Sequence, residues 1–139
     1  MELTFETFSK AMKFLSRCYL DFELEPSEAT RWYQILKKKF SDDGLFPVIF
    51  EYCKFEHAPT CPEDIIDFVN QLLIDAAPSA DKIVDEMINS VRRIENKPDA
   101  VVPESFKNKM KASYRDKMRK AVVSQMISFE VLRQSGILK

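Results

Sequence analysis

Only two glycines, Gly44 and Gly136, occur in the 139 residues. Tight strand turns need residues that tolerate positive φ, and phosphate-cradling loops need several glycines close together. Their scarcity argues against hairpin-rich sheet folds and against nucleotide-binding loops. There is one histidine, His57, and no Gly-x-Ser-x-Gly elbow, so nucleophilic triad chemistry lacks its parts. The three cysteines, Cys18, Cys53 and Cys61, form no CxxC pair, and an odd number closes no disulfide framework. No apolar run approaches membrane-spanning length, and Met1-Glu2-Leu3-Thr4 is neither a basic flank nor an apolar signal core. A reducing cytoplasm and no membrane contact are therefore expected.

What is present suits one globular, helical chain: 45% hydrophobic and 31% charged residues at a length typical of one domain. The net charge of −1 hides an asymmetry. Residues 1–100 carry 12 Lys+Arg against 19 Asp+Glu, whereas residues 101–139 carry 9 against 3. Charge segregation of this kind marks either a tail that reaches a partner or an arm that docks on its own acidic body.

Apolar residues recur at steps of three and four through most of the chain, the signature of amphipathic helices. The first helix is expected over about Thr4–Leu20, with Phe5, Phe8, Met12, Leu15 and Tyr19 on one face. An extended connector, Asp21–Glu25, precedes Pro26, and Ser27 is the expected cap of a second helix reaching Phe40. Trp32, Ile35, Leu36 and Phe40 would be buried there, with Lys37–Lys39 a solvated helix end. A third helix starts near Leu45, with Pro47 in its first turn. Thr60-Cys61-Pro62-Glu63 has the form of a capping box for a fourth helix, and Ser79 caps a fifth that ends in Arg92-Arg93. Two prolines make 96–103 a linker. The sequence thus predicts an all-α fold: a compact bundle of about five short helices (1–95), the linker, and a basic amphipathic C-terminal arm (104–139).

Cys53-x-x-x-His57-x-x-x-Cys61, with Cys18 as a fourth ligand, is the one pattern with metal-like spacing. Pro59 and Pro62 break the helix it would need, and core thiols are the simpler reading, so no metal or other cofactor is expected. The carboxylate pairs Asp42-Asp43, Glu63-Asp64 and Asp85-Glu86 fit helix starts and surfaces better than acid/base catalysis, so the chain is expected not to be an enzyme.

The candidate site is the arm. Phe106, Met110, Tyr114, Met118, Val122, Met126 and Phe129 follow steps of four, then three, on one continuous helix expected over 104–135. Phe106, Lys107, Met110, Tyr114, Arg115, Met118, Arg119 and Lys120 are the expected partner-binding residues. Aromatic and methionine side chains fill a protein groove while the cations steer it onto an acidic surface. The acidic body argues against direct nucleic-acid binding.

Over about residues 1–94 the chain resembles the phage replicative-helicase loader/inhibitor family. The likeness rests on Tyr19-Leu20-Asp21-Phe22-Glu23-Leu24, Trp32-Tyr33-x-x-Leu36, Tyr52, Pro59-x-x-Pro62-x-x-Ile65, and Ala80 through Met87 to Val91-Arg92-Arg93. The apolar Leu45-Phe46-Pro47 departs from the family pattern, and nothing after Glu95 aligns. The resemblance implies a small helical adaptor in a host bacterial cytoplasm. Such an adaptor binds a hexameric replicative DNA helicase, restrains it, and passes it to an origin-bound initiator. In the family the C-terminal region holds the helicase, while Trp32, Tyr52, Pro59 and Pro62 look structural. Two alternatives stand beside it: a phage-encoded inhibitor of another host protein, and a small helical DNA-binding regulator.

Overall fold

The computed structural model describes residues 2–96 and 101–138. The fold is all-α, with seven helices among the described residues: α1 (Phe5–Cys18), α2 (Pro26–Leu36), α3 (Leu45–Tyr52), α4 (Pro62–Ala76), α5 (Ala80–Ile94), α6 (Glu104–Ser124) and α7 (Phe129–Gln134). They divide into two compact units, one of Met1–Ala76 with Gln125–Lys139 and one of Ala77–Ser124. This division runs differently from the expected body, linker and arm: α5 belongs with α6, and the last residues belong with the first. Residues 97–100 of the expected linker lie outside the described residues.

In the first unit, Thr4 takes an extended conformation and accepts a hydrogen bond from the Thr7 amide, starting α1 where its apolar face begins. The Thr4 amide and hydroxyl both donate to Asp42 Oδ1 at 2.9 Å, tying that cap to the turn before α3. Phe8, Ala11, Met12 and Leu15 of α1 are buried, as are Trp32 and Leu36 of α2, Leu45, Val48 and Ile49 of α3, and Ile65, Val69 and Leu73 of α4. Phe22, on the connector, meets Trp32 edge-on at 5.6 Å. The Tyr33 hydroxyl donates to the Leu3 carbonyl at 2.8 Å, fastening the N-terminal residues over α2.

Three local expectations are corrected. Pro26, with its fixed φ and missing amide, occupies the first turn of α2, so Glu25 and not Ser27 stands at the cap. The same helix ends at Leu36, and turns carry the chain on to Phe40, which is fully buried; Lys39 is buried too, and burial pushes its pKa down. The Lys37–Lys39 run is therefore not a solvated helix end throughout. At α4 the reciprocal carboxylate belongs to Asp64 and not to Glu63: the Thr60 amide and hydroxyl donate to Asp64 Oδ2 at 2.8 and 3.0 Å. Glu63 faces Arg31 across 3.8 Å.

The largest correction concerns the last third of the chain. The helix expected to run from Glu104 to Ser135 stops at Ser124, and Gln125–Ser128 is not helical. There Ile127 forms a parallel bridge with Phe40. Its amide donates to the Lys39 carbonyl at 2.7 Å and its carbonyl accepts from the Ser41 amide at 2.8 Å. Ser128 then caps α7 by accepting from the Val131 amide. Ile127 and Leu132 are fully buried in the first unit. No proline or glycine announces this break. It is made by pairing with residues far away in the chain, which competes successfully with continuing the helix.

Candidate functional site

The second unit consists of α5 and α6. Ser79 caps α5 by accepting from the Lys82 amide at 3.2 Å, and Asp81 lies in its first turn, where a negative charge favours the helix dipole. The buried residues of α5 are Ala80, Val84 and Ile88. The two helices run antiparallel, since Val91 and Glu95 share a cavity with Val102 and Phe106, while Met87 shares one with Met110, Ser113 and Tyr114. One ion pair fastens them: Lys111 Nζ lies 3.0 Å from Asp81 Oδ1. The lysine holds the Asp81 carboxyl below its ordinary range, and the carboxylate in turn raises the lysine's pKa.

The apolar face of α5 is wider than α6 covers. Val84 and Ile88 are buried, but Met87 and Val91 remain about half exposed, at 48% and 53%. Phe106 of α6 is 54% exposed. Between them lies a cavity of about 300 Å³, walled by Met87, Ile88, Val91, Val102, Phe106 and Met110 and edged by Arg92 and Glu95. The Arg92 Nε is buried and has no hydrogen-bond acceptor among the described residues. A buried donor without an acceptor carries a desolvation cost that an incoming oxygen would relieve. A second cavity of about 330 Å³ continues along α6, lined by Met87, Lys109, Met110, Ser113, Tyr114 and Lys117.

Of the residues expected from sequence, Phe106, Met110 and Tyr114 are brought together in this groove. Lys107, Arg115, Met118, Arg119 and Lys120 also lie on α6 but do not line it. Lys120 is paired with Asp116 one turn earlier at 3.0 Å. Met126 and Phe129, expected on the same stripe, fall beyond the end of α6. Sequence reasoning missed the α5 wall. Met87 and Val91 share the apolar period of the buried Val84 and Ile88, and that period alone does not tell a covered residue from an open one. The available signal was the breadth of that face, which extends through Ile94.

Among the described residues, no group of three or more His, Cys, Asp or Glu side chains is placed to hold a metal ion. Cys18 is exposed at the end of α1 and is not the core thiol expected; burial and then the nearby Cys18 raise the Cys53 pKa, and Cys61 is influenced by Asp64 and Glu63. His57 lines a cavity of the first unit with Asp21, Glu23 and Glu28. No helix among the described residues is long and apolar enough to cross a membrane. No protein-family model, curated protein or solved structure matches the chain.

Proposed function

We propose that the protein is a non-enzymatic adaptor whose α5–α6 groove receives an amphipathic segment of a protein partner. The observation that carries this reading is the apolar cavity between Met87, Val91 and Phe106, with Arg92 Nε, which has no acceptor among the described residues, at its edge. An apolar side chain fills such a cavity, and a carboxylate beside it meets Arg92 and the cations Lys109 and Lys117 of the adjoining groove. The partner is thus an acidic amphipathic helix. Charge of opposite sign along α6 speeds and orients the encounter.

The resemblance of residues 1–94 supplies the partner class: a hexameric replicative DNA helicase, restrained and then delivered to an origin-bound initiator in a host bacterial cytoplasm. The test uses the full-length chain and a purified bacterial helicase hexamer. Phe106→Asp alters an exposed side chain, so helicity is expected to be unchanged. Loss of a groove anchor is worth about 2 kcal/mol or more, which weakens binding roughly 30-fold. Undiminished binding of the variant removes the groove from the reading. Absence of binding by the native chain removes the helicase. Steeply salt-dependent binding to duplex DNA alone would favour a DNA-binding regulator.

A further inference from the structure

In the first unit the ends of α1 and α3 are brought together twice. Phe14 packs its ring against Phe46 and Phe50, with centroids 5.2 and 5.9 Å apart. Five residues further on, the Tyr19 hydroxyl donates to the carbonyls of Tyr52 and Phe55 at 3.2 and 2.7 Å. Cys18 lies one helical turn beyond Phe14 and next to Tyr19; Cys53 lies three residues beyond Phe50 and next to Tyr52. Held on both sides by these contacts, Cys18 and Cys53 stand at neighbouring helix ends, close enough for Cys18 to help raise the Cys53 pKa beyond what burial does. Cys18 is exposed and Cys53 half-buried, so one thiol of the pair is open to a reagent while the other waits behind it. Cys61, the third thiol, interacts with the carboxyl groups of Asp64 and Glu63 instead.

We propose that Cys18 and Cys53 form a reversible intramolecular disulfide that ties the end of α1 to the end of α3, with a low-molecular-weight disulfide as oxidant. The Cys18 thiolate attacks one sulfur of the small disulfide; that S–S bond breaks and one small thiolate leaves. Cys53 then gives up its proton to solvent, and its sulfur attacks Cys18 Sγ in the mixed disulfide, expelling the second small thiolate. Two protein thiols lose two electrons, and one small disulfide becomes two thiols. Burial, the first cause of the raised Cys53 pKa, persists in the mixed disulfide and makes the Cys53 attack the slow step. Its rate rises about tenfold per pH unit as the thiolate fraction grows. The closed loop encloses all of α2, so the bond restricts the unfolded chain and raises resistance to denaturant. This inference is independent of the α5–α6 groove and of any partner.

The experiment treats the full-length protein with oxidised glutathione, blocks remaining thiols with an alkylating agent, and maps the peptides by mass. The expected result is a Cys18–Cys53 cross-link, with only Cys61 of the three cysteines still alkylated, and recovery of all three on reduction. Cys53→Ser should stop at a stable glutathione adduct on Cys18. The proposal is overturned by a native chain that stays unreacted or retains the adduct with Cys53 still alkylatable. It is equally overturned by cross-links through Cys61 or between two molecules. Mapping of the native chain decides the matter even where the variant folds poorly.

Discussion

Gly44→Ala tests the docking of the last residues onto the first unit. Gly44 has φ −98° and ψ −25°, a conformation every residue adopts. If backbone freedom were its purpose, alanine would be neutral or would stabilise by about 0.5–1 kcal/mol. The structure predicts the opposite sign. A Cβ at this position would fall 2.1 Å from the Ile127 carbonyl oxygen and 2.8 Å from its carbon, and both are backbone atoms that cannot rotate away. Relief requires Gln125–Ser128 to lift from the Lys39–Ser41 segment, which breaks the bonds made by the Ile127 amide and carbonyl. Those two hydrogen bonds contribute about 0.5–1.5 kcal/mol each, and exposing the Ile127 side chain costs about 1.5–3 kcal/mol. Full opening therefore costs about 2.5–6 kcal/mol, and partial relaxation leaves about 2–4 kcal/mol. Trp32, the single tryptophan, is buried in this unit, so its fluorescence in a urea titration reports the loss. With a slope of about 1–3 kcal/mol per molar urea, the midpoint falls by about 1 M or more. Hydrogen exchange at the Ile127 amide should accelerate in parallel. A variant as stable as the native chain, with that amide still protected, would refute the argument.

Acid should loosen the same region. The Asp43 carboxylate accepts from the Ser41 hydroxyl at 2.6 Å and from the Phe129 amide at 3.3 Å, and these bonds hold it below the usual carboxylate range. A depressed folded pKa stabilises fully above the unfolded value of about 3.9, and that stability is lost as the pH falls through the folded value. Denaturant midpoints should hold level above about pH 5 and fall below about pH 4, less steeply in Asp43→Asn; an identical decline in the variant would contradict this. Ser79→Ala removes the hydroxyl that accepts from the Lys82 amide and should cost the α5–α6 unit about 1 kcal/mol, seen as reduced helicity on heating. Tyr19→Phe leaves the Tyr52 and Phe55 carbonyls without their shared donor and should destabilise the first unit by about 1–2 kcal/mol in urea. It should also slow closure of the Cys18–Cys53 bond, measured by timed alkylation.

The all-α character and most helix starts were legible in the residues alone, because caps, prolines and apolar periods act within one or two turns of chain. Ser79 caps where expected, and Pro62 opens α4. That Phe106, Met110 and Tyr114 share one face was legible for the same reason, since a 3.6-residue repeat fixes which side chains lie together. What a face packs against is a different quantity. Met87 and Val91 carry the same period as Val84 and Ile88, and only the lateral position of α6 leaves the first pair open while it covers the second. The stop at Ser124 was likewise invisible: nothing local ends that helix, and its partners Lys39, Phe40 and Ser41 lie more than eighty residues away. Local chemistry thus determined the helices and the reactive or apolar side chains they carry. Long-range pairing decided where the sixth helix ends, which apolar residues remain uncovered, and that Cys18 and Cys53 stand at neighbouring helix ends, because those outcomes depend on distances no neighbouring residue sets.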